Sequence, residues 1–298
     1  MWLTLAFLSA ILLGLYDIAK KTSLRDNAVL PVLLLNTVFS TLIFLPFIII
    51  SRTCGADTLG QMFYVPEAGW TTHRLIIIKA MLTLASWICG YFAIKHLPLT
   101  IAGPINATRP VLVLVGAMLV FGERLNAWQW TGTAFAVVSF FLLSISGKRE
   151  GIDFRHNKWI FLLIAAAIFG AASGLYDKYL MQSIAPMTVQ SWFNIYQMAM
   201  MTIIVAILWL PARDRGRRFE WRWSIVLISL FLSAADFVYY YALSCDGSMV
   251  SIISMVRRSS VIVSFTGGVL LFHEHNIRYK VIDLAMVLAG MVFLYIGS

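Results

Sequence analysis

Three arginines and three aspartates sit where the surrounding sequence is almost wholly apolar, and an ionised side chain in such a setting is kept for a partner or a ligand. Arg109 lies eleven residues into the apolar run 99–121, between Pro104 and Pro110. Proline removes a backbone donor and frees carbonyls, so the helix loosens around the guanidinium. An arginine there presents a planar fork of donors suited to a carboxylate, and its competing role is an ion pair with a buried aspartate. Arg257 and Arg258 occupy the matching part of the run 249–272. Adjacent helical positions point about 100° apart, so one is expected to face a cavity and the other an acidic neighbour such as Asp236. Asp17, Asp177 and Asp236 are the acidic candidates. A carboxylate that meets water only intermittently can exchange protons near neutral pH, as proton coupling requires. Asp236, thirteenth in the run 224–244, ranks first; Lys20 and Lys178 lie close to the other two, where structural pairing competes.

Neutral groups add to the set. Asn36 stands in the run 30–50, Trp87 and Tyr91 in 75–94, Trp192, Asn194, Tyr196 and Gln197 in 187–210, and Tyr239 to Tyr241 in 224–244. Aromatic walls with a few hydrogen-bonding groups suit an amphiphilic small molecule, with packing as the competing role. Asn36 and Asn194 are favoured because an amide inside an apolar run needs a partner. With the arginines, the candidate binding set is Asn36, Trp87, Tyr91, Trp192, Asn194 and Tyr240. Glu123 and Glu274 stand where one run ends and the next begins, and each is expected to support the N-terminus that follows. His273 and His275 bracket Glu274, but three consecutive residues do not make a tetrahedral site, so neither a metal nor a cofactor is expected.

The elements that must position these groups are membrane helices. Hydrophobic residues make up 60% of the 298, charged ones 12%, and the mean hydropathy is +0.83, far from the balance of a soluble domain. A helix needs about 20 apolar residues to cross about 30 Å of hydrocarbon. At that length the chain reads as ten spans: 2–19, 30–50, 75–94, 99–121, 126–146, 159–180, 187–210, 224–244, 249–272 and 278–297. The expected fold class is an all-α integral membrane protein, since the short alternating segments of an outer-membrane barrel are not seen. The first span lacks a basic leader and reads as a helix rather than a cleaved signal.

The chain also repeats itself. Ala6, Ala10, Gly14, Tyr16 and Asp17 return as Ala166, Gly170, Gly174, Tyr176 and Asp177, a constant shift of 160, with Gly-Leu-Tyr-Asp identical in both. Five spans per copy is odd, so the second copy must enter from the opposite face, and inverted repeats of this kind are a mark of transporters. The small residues, four apart, form a stripe where another backbone can approach closely. The expected organisation is a five-helix repeat over 1–146, a cytoplasmic connection over 147–158 and a second repeat over 159–298.

Most basic residues outside the spans fall on odd-numbered connections: Lys20, Lys21, Arg25, Lys95, Lys148, Arg149, Arg155, Lys158, the five arginines between Arg213 and Arg222, Arg278 and Lys280. The even-numbered ones hold Arg52, Arg74, Arg124 and Lys178. The positive-inside rule then places the odd connections in the cytoplasm and both termini outside a cell (inner) membrane. The net charge of +9 is mostly this excess facing anionic headgroups, and no nucleic-acid partner is implied. Cys54, Cys89 and Cys245 are isolated, so neither a disulfide framework nor a thiolate metal site is expected.

Ten spans in two repeats, with Phe-Gly-Glu-Arg at 121–124 and Phe-His-Glu-His at 272–275 closing the fourth and ninth, resemble the drug/metabolite transporter superfamily, EamA-type carriers. The resemblance implies a secondary carrier with a central cavity between its halves, exporting amino acids or related metabolites. A carrier of a lipid-linked sugar or another amphiphile is the alternative. An intramembrane enzyme is the distant one: the five histidines lie outside the middles of the spans, and neither a His-Glu-x-x-His helix nor an aspartate-rich diphosphate site is seen. A Walker-type loop is likewise missing, which argues against direct use of ATP. The expected partners are the solute and the bilayer. A monomer suffices in principle, and a homodimer is allowed.

Overall fold

The computed structural model describes residues 1–24, 27–96, 109–145, 158–211 and 219–260, with short pieces at 262–263, 285–286, 289–290, 292–293 and 296–297. Among these, the regular elements are helices: α1 (Trp2–Leu24), α2 (Val29–Thr53), α3 (Ala56–Phe63), α4 (Trp70–His96), α5 (Arg109–Phe121), α6 (Ala127–Ile145), α7 (Lys158–Met181), α8 (Pro186–Leu208), α9 (Ser224–Ser244) and α10 (Val250–Arg258). Six of them, α1, α2, α4, α7, α8 and α9, are long and apolar enough to cross a membrane. In lipid, each backbone amide must be satisfied within its own segment, which is why near-continuous apolar runs fold this way. The short α3 was not expected; it lies in the connection between α2 and α4, where Gly55 and Gly60 adopt positive φ. Residues 261 and 264–272 of the ninth span and more than half of the tenth lie outside the described residues, as does nearly all of the connection 147–158.

Polarity is arranged with the apolar surface outward. On α2, Asn36, Thr37, Ser40 and Thr41 are buried, whereas Leu42, Leu45 and Ile49 are exposed. The same holds for α8, with Gln190, Ser191, Asn194 and Gln197 buried and Ile203 and Ile207 exposed. Leucine and isoleucine gain little by leaving hydrocarbon, so small and polar groups are enriched at helix contacts.

Helices of the two copies pair with each other. Along α1 and α9, Ser9 Oγ donates to the Ala235 carbonyl (2.7 Å) and Ser23 meets Ser224 (2.6 Å). Along α4 and α7, Ser86 Oγ donates to the Ala166 carbonyl (2.8 Å), and Thr83 meets Ser173 (2.9 Å). In both pairs an early residue of one helix meets a late residue of the other, so the partners run antiparallel. Most informative are α2 and α8, the second long helices of the two copies. Thr41 Oγ1 donates to the Asn194 carbonyl (3.0 Å), Phe44 packs with Met187, and Leu30 lies with Val205. Equivalent helices that cross antiparallel are what copies of opposite orientation produce.

The small residues of the first stripe sit where other segments approach α1 closely. Ala6 and Ala10 are fully or almost fully buried, and a Cβ added to Gly14 would lie 2.8 Å from the Ser260 carbonyl. The largest core cluster draws on both copies, from Leu3 and Ala6 to Tyr239, Ile252 and Val256.

Candidate functional site

Between the copies lies a chamber of about 340 Å³. The helices reach it through residues at helical spacing: Leu13, Tyr16, Asp17 and Lys20 on α1; Lys79, Thr83 and Trp87 on α4; Gly170, Ser173, Gly174 and Asp177 on α7; Gln190, Phe193, Asn194 and Gln197 on α8. Intervals of three and four keep such residues on one face of a helix. Asn36 and Ser40 (α2), Arg109 (α5), Ser233, Asp236, Tyr239 and Tyr240 (α9), and Arg257 and Arg258 (α10) also line it.

Arg109 lies on α5, and its Nη2 donates to the Gly170 carbonyl of α7 at 2.7 Å. It can come this close because residue 170 lacks a side chain; a Cβ there would stand 2.6 Å from Arg109 Nε. Gly170 therefore does more than let two backbones approach, since it also seats a guanidinium. Pro104 lies outside the described residues, as does the side chain of Pro110.

Arg257 Nη2 donates to Asp236 Oδ1 at 2.7 Å, and its guanidinium carbon lies 4.0 Å from the centre of the Tyr239 ring. The expected division of labour between the adjacent arginines is only half realised, because Arg257 pairs with Asp236 and yet lines the chamber together with Arg258. Their stems are long enough to bring both heads round to one space despite the backbone angle.

Asp177 does not pair with Lys178. It forms a buried ion pair with Lys79 of α4, whose ammonium lies 4.6 Å from the Phe193 ring centre and 5.0 Å from that of Tyr240. Lys178 turns to the Leu243 carbonyl (3.2 Å) and to Ser248 Oγ. Neighbours in a helix diverge, whereas residues on facing helices converge. Lys79 was missed in the sequence, although a lysine after Leu75-Ile76-Ile77-Ile78 is the same kind of signal as Arg109. Gln190 was missed too; it lies one helical turn before Asn194 on the same face. Lys20 Nζ lies 5.4 Å from the Tyr16 ring centre, and both line the chamber with Asp17.

Among the neutral candidates, Asn36, Trp87, Asn194, Gln197, Tyr239 and Tyr240 line the chamber. Trp192 does not: it packs edge-on to His73 (4.5 Å), whose Nδ1 lies 3.0 Å from Tyr196 Oη. Tyr241 faces away, donating to the Met62 carbonyl (2.8 Å). The side chain of Tyr91 lies outside the described residues, as do His273, Glu274 and His275. Glu123 supports a helix other than the one expected. Its Oε1 accepts from the Val250 amide (2.7 Å), and Oε2 accepts from the Ser251 amide (3.3 Å) and hydroxyl, so it caps α10 of the other copy rather than α6. The end of α5 and the start of α10 meet at one face of the bundle, and the nearer set of unsatisfied amides takes the carboxylate.

The sequence pattern of the EamA-like transporter family matches residues 1–145 and again 157–296. An uncharacterized transporter of Pseudomonas aeruginosa is 30% identical over 152 residues, 50% of this chain and 47% of that protein. A riboflavin transporter of Rhizobium johnstonii is 27% identical over 121 residues, 40% of this chain and 37% of its own length. The chain thus spans less than half the length of these two relatives. A probable 4-amino-4-deoxy-L-arabinose-phosphoundecaprenol flippase subunit of Pectobacterium atrosepticum is 25% identical over 108 residues, 33% of this chain but 96% of that protein. A crystal structure of another protein superposes with a TM-score of 0.70, covering 98% of this chain and 95% of its own at 16% identity, a likeness of fold.

Proposed function

The chain belongs to the EamA-like transporter family, and from that premise we propose that it carries a small polar metabolite bearing a carboxylate, an amino acid or a related solute, across the membrane. The observation that supports this reading is the charge balance of the chamber. Among its described lining residues, Lys20, Lys79, Arg109, Arg257 and Arg258 stand against Asp17, Asp177 and Asp236, and the last two carboxylates are already engaged by Lys79 and Arg257. Surplus positive charge between low-dielectric walls attracts an anion. Arg109 holds its carboxylate, with Arg258 beside it, and Asn36, Trp87, Asn194 and Tyr240 shape the rest of the pocket.

Transport proceeds by alternating access, as the repeats 1–146 and 159–298, five spans each, rock about the chamber. Asp236, and after it Asp17 and Asp177, carries the coupling proton. The chain sits in the inner membrane with both termini outside, works outward as the family resemblance implies, and performs no bond chemistry on its solute. The test is a thermal-shift screen of the purified protein against amino acids, organic acids, nucleosides and sugars, repeated with Arg109→Ala. A ligand at about 100 times its Kd adds about 2.7 kcal/mol to the folded state. Carboxylates are expected to stabilise the unaltered protein and not the variant; a carboxylate whose effect survives the loss of Arg109 refutes the assignment.

A second reading, transfer of a lipid-linked sugar, is favoured by the flippase subunit matched over 96% of its length. Its substrate keeps a tail in the bilayer, so the chamber would have to open sideways between helices. Translocation of a labelled polyprenyl-phosphate sugar across reconstituted vesicles separates the two readings.

A further inference from the structure

Among the described residues, four amides line the chamber, Asn36 from α2 and Gln190, Asn194 and Gln197 from one face of α8, and Ser233 of α9 lines it too. All five residues are at most 5% exposed. Each holds an atom without a hydrogen-bond partner among the described residues: Asn36 Oδ1, Gln190 Oε1, Asn194 Nδ2, Gln197 Nε2 and Ser233 Oγ. Leaving such a group unmet is expensive, and apolar residues of similar shape would pack here without that cost. Whichever way an amide is turned, it offers both a donor and an acceptor.

The arginines come from other helices, Arg109 from α5 and Arg257 and Arg258 from α10, while Lys79 of α4, with its ammonium 4.6 Å from the Phe193 ring on α8, is held by Asp177. The chamber therefore makes two different chemical demands. A carboxylate answers the arginines and the amide donors, but it has no hydrogen to give to the amide acceptors. An ammonium could answer those, yet it would enter a space whose described lining is already in positive surplus, in which Asp177 and Asp236 are occupied. A hydroxyl both donates and accepts, and it carries no charge. A ligand that replaces water at these amides must reproduce the hydrogen bonds it displaces.

We propose that the solute is a hydroxylated anion, a sugar acid or another polyhydroxy carboxylate, with its charged end at Arg109 and its hydroxyls along the amide wall. This rests on the carboxylate-carrier reading and narrows it. The test uses the full chain in lipid nanodiscs and four probes: gluconate, hexanoate, glucose and glutamate. Gluconate is expected to bind at least about tenfold tighter than hexanoate, which has the same chain length and charge but no hydroxyls, because even one hydrogen bond lost to a buried group is worth about that much. Gln190→Leu and Asn194→Leu should each narrow the gluconate-to-hexanoate ratio. Should either variant fail to fold, the probe series on the unaltered protein decides alone. Hexanoate matching gluconate, or glutamate exceeding it, overturns the hydroxyl assignment and leaves the carboxylate reading standing. If no anion binds, or if glucose equals gluconate, the carboxylate reading itself falls.

Discussion

Lys79 of α4 and Asp177 of α7 form an ion pair between the two copies, with side chains only 3% and 8% exposed. The pair ties the first repeat to the second beside the chamber, and both members line it. Removing one partner leaves a buried charge uncompensated, which costs about 3–5 kcal/mol, whereas replacing both with apolar residues of similar size is often neutral. Asp177→Asn is therefore expected to lower stability by that amount, and Lys79→Met with Asp177→Leu to recover most of it. Unfolding in detergent measures this, and equal losses in single and double variants would contradict it.

Gly170 seats the Arg109 guanidinium, so Gly170→Ala should displace it. Anion affinity is expected to fall by roughly tenfold, about the value of one charge-assisted hydrogen bond. Gly174→Ala is the comparison, because an added Cβ would meet nothing nearer than 3.9 Å. Calorimetric binding of gluconate to both variants reads the difference; equal affinities would contradict the seating role.

Glu123 caps α10 through two backbone amides and the Ser251 hydroxyl. Glu123→Ala should cost about 1–2 kcal/mol, the range for loss of a helix cap, and should speed hydrogen exchange at Val250 and Ser251 ahead of α9. Unchanged exchange there would show that the cap is dispensable.

Asp236 bears on coupling. If it carries the proton, Asp236→Asn in proteoliposomes should still exchange solute down its own gradient but no longer respond to an imposed pH gradient. Arg257 loses its ion-pair partner in that variant, so solute affinity is measured alongside. A pH-driven rate that persists assigns the proton elsewhere.

Orientation is tested separately. A reporter fused after Ser298 should give an extracytoplasmic signal, because basic residues concentrate on the odd-numbered connections; a cytoplasmic signal reverses the topology and with it the direction assigned to transport.

Membrane helices were legible because lipid imposes a length and a polarity that composition records directly. The runs 30–50, 159–180 and 224–244 reappear as α2, α7 and α9 with little change at their ends. The repeat was legible too, through Gly-Leu-Tyr-Asp and the four-residue spacing of small residues. Charges inside apolar runs marked Arg109, Arg257 and Asp236 as residues of one polar interior, and the same signal at Lys79 went unread.

Partnership was another matter. Sequence neighbours suggested Lys178 for Asp177 and α6 for Glu123, whereas the structure supplies Lys79 from α4 and the amides of α10. Trp192 and Asn194 are two residues apart in one helix, yet only the second reaches the chamber. By itself, the sequence determined that the chain spans the membrane in two related halves with ionised groups held inside. Which carboxylate meets which cation, and which face of each helix meets the chamber, was decided by tertiary packing, because those contacts join residues on facing helices and local periodicity carries no record of the facing partner.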